Sequence, residues 1–479
     1  MRFYRYILLV ATAFASIPKE AQSQESLTIG EAMELLNRNS NTIQIANKGV
    51  EIARAEKQRL NSTWYPYINA SGTYLMMSEE IKVEENIGKL AGDVAAPLAE
   101  ALPQLAPLIS LASNASLTFP LLDKNVATID GIIVWPLFTG GKRIYANKIG
   151  KSLVNSAQLN RQITQEIQTS LLVERYYTVK LLTYNLEVCN KELAANRRLY
   201  ENSLKLMENG LINKAEMLVA KMAFDQSAQK VSGTARKVKD AEKSLSLLLG
   251  MDTTLTTYGP NGKYLLSSPF FICTSIPSEA EFINLACNNN PQTKLIDQQR
   301  EMVQNSRKIA KSSYMPDISI FAKQNIYSYN IPSNLLPRST IGAAFTWTIF
   351  DGTNRERRIE IAKLQEESLE LGKREGTTEV ERAVRSLYSI MEDARESLET
   401  VTTSISLAQE LVKIRERGFS EGVATASEVV EANALLAKSN LAAMLSCYQY
   451  EIALSNMIAL CGESLHFSSF LNREGNIYR

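Results

Sequence analysis

Two short segments in the second half of the chain alternate apolar and polar residues with a period of two. In 316–329, Ile318, Ser319 and Ile320 begin an alternation that puts apolar residues at even positions until Phe321 interrupts it. In 339–350, Ile341, Ala343, Phe345, Trp347 and Ile349 take one parity, and Thr340, Gly342, Ala344, Thr346 and Thr348 take the other. This period predicts strands with one apolar face and one small or hydroxylated face. Similar strands are expected at 66–76 and 129–138. Such a division suits a barrel wall with lipid on one side and water on the other. It suits a strand of a soluble sandwich equally well, so the strands alone leave both open.

Elsewhere the period lengthens. No proline occurs from 137 to 259 or after 337, and the pattern predicts helices over 142–207, 214–250, 355–418 and 426–460. At 1.5 Å per residue the first would reach roughly 100 Å. Leu186, Leu193, Tyr200 and Met207 recur every seven residues, as do Leu398, Ile405, Val412 and Phe419. Sustained heptads predict coiled-coil packing between neighbouring helices; either stretch alone also fits the buried stripe of a globular bundle.

These elements form two copies of one plan. Glu51, Pro66 and Ile68 match Glu301, Pro316 and Ile318 at an offset of 250. From Trp135 the offset is 212, pairing Phe138 with Phe350, Gly210 with Gly422, Glu216 with Glu428 and Gly250 with Gly462. The fall from 250 to 212 marks a 38-residue insertion in the first copy. The expected organisation is a first repeat at 24–250, a connector (equatorial region) at 251–277, a second repeat at 278–462 and a tail at 463–479. The first repeat holds an extracellular insertion at about 77–128. Its charged start and Ala/Leu/Pro-rich 96–113 fit either a short helix pair capping a barrel mouth or an unstructured loop. Four strands cannot close a barrel, and an open sheet in lipid leaves its edges unpaired. Three chains would supply twelve strands.

Composition narrows the function classes. Arg2 and Arg5, an apolar run to Ile17 and the small-x-small site Ala21-Gln22-Ser23 predict a secretory signal peptide over 1–23. The 52 basic and 51 acidic residues nearly cancel, a poor basis for gripping nucleic acid. The five cysteines lack CxxC spacing, and His466 is the only histidine, so neither a metal centre nor histidine-based catalysis is indicated. The reading is not an enzyme, with no cofactor. A secreted coiled-coil scaffold or adhesin without a pore is the alternative to a conduit.

Over nearly its whole length after residue 23, the chain resembles the TolC-like outer membrane efflux proteins. The resemblance is carried by 64-WYPYINASGTY-74 with 314-YMPDISIFA-322, 135-WPLFTGG-141 with 347-WTIFDGT-353, and 208-ENGLINKAEML-218 with 420-SEGVATASEVV-430. It implies a mainly α fold with a transmembrane β-barrel. In that fold a homotrimer gives four strands per protomer to a twelve-stranded barrel in outer-membrane lipid, continuing into a long α-helical periplasmic tunnel. It implies passive efflux or type I secretion, energised by an inner-membrane RND or ABC transporter and coupled through a periplasmic adaptor (membrane fusion) protein. By the same resemblance Glu428 and Glu431, with Glu216, mark the periplasmic gate, and Gly210, Leu211, Gly422 and Val423 the tips that meet the adaptor. Trp64, Trp135, Tyr314 and Trp347 mark the membrane interface. Val219 stands where a first-copy match to Glu431 would be. Ala424 stands where family members can carry an arginine that ties the closed tip together.

Overall fold

The computed structural model describes residues 25–86, 116–251, 264–331, 337–473 and 477–478. The signal-peptide segment and 87–115, where a cap helix pair would fall, lie outside the described residues. The first half runs β1 (Glu25–Leu27), α1 (Ile29–Asn39), α2 (Asn41–Asn61), β2 (Tyr67–Met76), β3 (Ile81–Asn86), β4 (Ser116–Leu122), β5 (Asn125–Thr139), α3 (Lys142–Glu208) and α4 (Lys214–Leu248). The second runs β6 (Tyr264–Leu266), β7 (Phe271–Ile272), α5 (Glu279–Asn289), α6 (Pro291–Ser312), β8 (Asp317–Tyr329), β9 (Ser339–Thr346), α7 (Asn354–Ser420), α8 (Ala426–Leu460), α9 (Phe467–Leu471) and β10 (Ile477–Tyr478). No described helix is long and apolar enough to cross a membrane.

The duplication reaches the caps. Both α1 and α5 start with a capping box, Thr28 with Glu31 and Ser278 with Glu281, which satisfies amides that a first helical turn leaves free. The long helices α3 and α7 are both 67 residues, and α4 and α8 both 35.

The chain divides into two compact units. One comprises residues 1–53, 154–299 and 368–479. Its core is aromatic: Tyr176 meets Tyr177 edge-on at 5.3 Å, Tyr177 lies 5.4 Å from Phe270, and Phe271 lies 5.9 Å from Phe467. The Tyr176 hydroxyl donates to the Leu27 carbonyl at 2.7 Å and accepts from the Ser268 amide at 3.1 Å, so the ring is buried without an orphan polar atom. Glu451 is fully buried here and accepts from the Phe271 amide at 2.8 Å. Burial pushes its carboxyl well above the ordinary glutamate range. Burial also lowers the Lys180 ammonium to about 8, a shift that Glu451 opposes. The connector supplies two small sheets: β6 pairs parallel with β1, and β7 antiparallel with β10.

The second unit, residues 54–153 and 300–367, holds a four-stranded antiparallel sheet in the order β2-β5-β8-β9. Two strand expectations change here. The 77–128 insertion carries an antiparallel pair, β3 with β4, that the sequence reading did not foresee. The strand expected over 339–350 ends at Thr346, because its last residues find no partner among the described residues.

Candidate functional site

Directly paired residues of an antiparallel sheet share a face, so the registers assign every side chain. One face carries Ile68, Tyr74, Ile133, Trp135, Ile320, Ile341 and Phe345, all of them exposed. The other carries Asn69, Ser71, Thr73, Thr128, Asp130, Ser319, Lys323, Asn325, Thr340 and Thr346. On that polar face Lys323 pairs with Asp130 at 2.9 Å, and the Asn325 amide donates to Asp130 at 3.0 Å. Ile132, Val134 and Phe321 are apolar exceptions on that face, and the Phe321 ring lies over Gly342, where a Cβ would come within 2.8 Å of it. The sheet is therefore a wall with a large exposed apolar side and a polar side whose charges neutralise each other.

At the strand–helix junctions the two repeats share a tryptophan hydrogen bond and an arginine fork. The Trp135 indole N–H donates to the Trp64 carbonyl and the Trp347 indole N–H to the Tyr314 carbonyl, both at 3.1 Å. Each junction also buries an arginine that sequence reasoning passed over. Arg143 stacks 4.4 Å over the Trp64 ring and donates to the carbonyls of Leu137 at 2.7 Å and Thr63 at 3.4 Å. Its counterpart Arg355 lies 4.5 Å over the Tyr314 ring and donates to Ile349 at 2.8 Å, Thr348 at 3.0 Å and Ser313 at 3.2 Å. A planar fork of donors suits carbonyls that leave a strand before the helix begins. Thr139 and Asp351, which precede the helices, are engaged by these arginines as well. Thr139 accepts from Arg143 at 3.3 Å, and Asp351 forms an ion pair with Arg355 at 3.3 Å. The signal for both arginines was present as a charge repeated at the 212 offset, each two residues beyond a quoted junction. Trp64, Trp135, Tyr314 and Trp347 remain partly exposed beside them.

The turns between long helices are built around Gly210 and Gly422, at φ 69° and 76°, a region glycine enters without a Cβ penalty. Leu211 and Val423, next in each turn, are exposed. The acidic candidates divide. The Glu216 carboxylate accepts from the Ala426 amide at 2.8 Å, so it caps the start of α8 rather than its own helix. Glu428 closes its own capping box, accepting from the Thr425 amide at 3.0 Å, and meets Arg415 at 3.4 Å. Glu431 is exposed and accepts from the Ser427 hydroxyl at 3.3 Å. Beneath them Leu199, Ala220, Phe419, Ala426 and Val429 form a small core. Arg415 was missed because its first-copy counterpart, Ser203, is uncharged. It supplies the tip with a cation that position 424 lacks. Among the described residues no group of three His, Cys, Asp or Glu could hold a metal ion.

Comparison with known proteins follows the same lines. Residues 282–463 match the model of a family described as outer membrane efflux protein. The outer membrane protein VceC of Vibrio cholerae is 15% identical, with a TM-score of 0.70 over 91% of this chain and 96% of that one. The CmeC outer membrane channel of Campylobacter jejuni is 15% identical, with a TM-score of 0.68 over 91% of this chain and 86% of that one. The MtrE outer membrane channel of Neisseria gonorrhoeae, in its open state, is 11% identical, with a TM-score of 0.67 over 91% and 89%. At these identities the likeness establishes the fold. No curated protein matches the chain by sequence.

Proposed function

We propose that this chain, which carries the outer membrane efflux protein pattern over 282–463 and the TolC-like fold over nine-tenths of its length, is the outer-membrane exit duct of a tripartite efflux or type I secretion system. The observation that carries the reading is the open four-stranded sheet. One face is apolar and exposed, the other polar, and among the described residues the outer edges of β2 and β9 have no partner strand. In water such a sheet would expose apolar surface and sticky edges together. In lipid it is satisfied once a ring closes it. Three copies give twelve strands, within the range of membrane barrels. The aromatic junctions fit the interface between lipid and water, and the helices of α3 and α7 length would form a periplasmic tunnel.

The duct is passive and no catalytic residue is assigned. An inner-membrane RND or ABC transporter energises it, and a periplasmic adaptor meets the turns at Gly210, Leu211, Gly422 and Val423. Glu431, exposed at the tip, is the best-placed gate residue. Glu428 and Glu216 join it when the capping contacts that hold them are released. The test is purification from outer membrane in detergent, with native mass and conductance in planar bilayers. A conducting trimer is expected, whereas a soluble monomer would leave the secreted scaffold or adhesin as the better reading.

A further inference from the structure

Lys180 is a half-buried cation without an anion. It sits in the middle of α3, inside the unit that holds the aromatic core. Its ammonium donates to the Ser268 carbonyl and lies 5.4 Å over the Phe270 ring. An ammonium carries three donors, so one carbonyl and one ring face leave two donors for other partners. Glu451 does not take them. Its carboxyl accepts from the Phe271 amide, and its other oxygen has no hydrogen bond. Among the described residues Lys180 forms no ion pair. Burial lowers its ammonium, as it does any cation taken from water without a counter-charge.

The missing acceptor has a place to sit. Beside Lys180 lies a cavity of about 410 Å³, within the size range of small-molecule sites. Its apolar wall is made by Leu265, Leu266, Phe270 and Met444, and Tyr184 and Glu187 join Lys180 along α3. Leu266, Phe270 and Met444 are buried, whereas Leu265 and Glu187 are exposed. We propose that this cavity binds an aromatic monocarboxylate, with the carboxylate on the Lys180 ammonium and the ring system against Leu266, Phe270 and Met444.

Each part of that ligand answers a feature of the site. Two carboxylate oxygens match the two donors that Ser268 leaves, in charge-assisted hydrogen bonds. The apolar wall and the rings of Phe270 and Tyr184 suit a flat apolar body. Glu187 stands two helical turns beyond Lys180, about 10 Å along the axis, and disfavours a second negative charge. A cation would meet Lys180 itself.

The site belongs to the first repeat alone. At the 212 offset Lys180, Tyr184 and Glu187 become Glu392, Glu396 and Glu399, all exposed. The wall opposite α3 begins with β6, in the connector that lies between the repeats and has no second copy. The cavity is thus what the connector makes where it crosses α3. All its lining residues fall in one unit of one chain, so the site is complete before any assembly and does not rest on the duct.

The test is equilibrium dialysis of the full-length protein in detergent near about pH 7, with empty micelles as the blank. Naphthoate is the probe and naphthalenemethanol its uncharged analogue. One naphthoate should bind per chain, and the alcohol at least roughly tenfold more weakly, because it makes no charged hydrogen bond. Lys180→Met should lose the same factor for naphthoate and leave the alcohol unchanged. A second readout needs no variant. Saturating naphthoate should slow acetylation of Lys180 by an activated ester at least roughly threefold, since a bound carboxylate covers the amine and keeps it protonated. The exposed Lys48 and Lys413 should react as before, all read by peptide mass. Equal binding of acid and alcohol, or Lys180 acetylation that naphthoate leaves unchanged, would overturn the site and leave the duct to its own test.

Discussion

The strand–helix junctions of the two repeats match down to single hydrogen bonds, while the turns that end the same long helices do not. At the junctions Trp135 and Trp347, and Arg143 and Arg355, make equivalent contacts with the preceding helix–strand turns. At the turns Asn213 stands for Thr425, Val219 for Glu431 and Ser203 for Arg415. Glu216 reaches across to α8, whereas Glu428 folds back on its own helix. Both junctions perform one physical task, turning an extended backbone into a helix while satisfying carbonyls that leave the ladder. The turns differ even within one chain, Glu216 holding the start of α8 and Glu428 closing its own cap beside Arg415.

The largest test of that contrast is removal of the arginine forks. Arg143→Ala and Arg355→Ala should each cost about 3 kcal/mol, because several carbonyls lose a charged donor together. The three tryptophans of the chain sit at these junctions and report the unfolding directly by fluorescence. Losses that differ widely between the two variants would break the equivalence. Lysine should not rescue either site, since it lacks the planar fork.

Gly140→Ala and Gly352→Ala probe how far the equivalence extends to packing. Gly352→Ala should cost only about 1 kcal/mol, for a left-handed conformation alone. Gly140→Ala adds a clash with the Ser312 carbonyl and should cost more, read as thermal midpoints.

Lys180 and Glu451 belong to neither the junctions nor the turns, and their equivalents, Glu392 and Lys239, are exposed with reversed charge. An unfolded glutamate titrates near about 4.3. Glu451 in the folded chain holds its proton well above that, so stability should fall as pH climbs from about 4.3 through the folded value. Glu451→Gln removes this slope. Its thermal midpoint should exceed the native one increasingly as pH rises toward about 8, and the curves should converge near about pH 4. Lys180, lowered to about 8 and held up by the Glu451 charge, begins to lose its proton as pH nears that value, so the comparison is read well below it. Parallel curves at every pH would show that the carboxyl is charged in the fold.

The smallest effects on stability belong to the turns. The Arg415–Glu428 pair is half-exposed and worth at most about 1 kcal/mol, so Arg415→Ala should barely move the midpoint. It should instead raise single-channel open probability if the pair helps to hold the tip. Glu428→Gln with Glu431→Gln should weaken cation selectivity. A midpoint shift without any change in conductance would make these residues caps and nothing more.

The faces of the sheet were legible because alternation reports a local property: which side of a pleat each residue occupies. The long helices were legible for the same reason, through absent prolines and heptads. The arginines were not read as buried, since a charge beside a glycine turn looks solvated until the carbonyls around it are placed. The β3–β4 pair and the two small sheets escaped because such short strands exist only through partners remote in sequence. The end of β9 was misjudged for the opposite reason: the pattern continues to Phe350, but a strand lasts only as long as something pairs with it. At the tip, Glu428 and Glu216 were recognisable as acids, but their engagement with Arg415 and the Ala426 amide was not.

The exposed edges of β2 and β9 also bear on the life of the chain before assembly. On the proposed duct, a newly exported copy would carry two unsatisfied sheet edges and an apolar face through an aqueous compartment, where any extended peptide competes for them. Correct pairing depends on encounters between copies, so its rate rises with their local concentration, while mispairing depends on everything else present. Production of such a protein is therefore a kinetic race. Slow synthesis or scarce membrane acceptor should fill the periplasm with aggregates rather than with patient monomers.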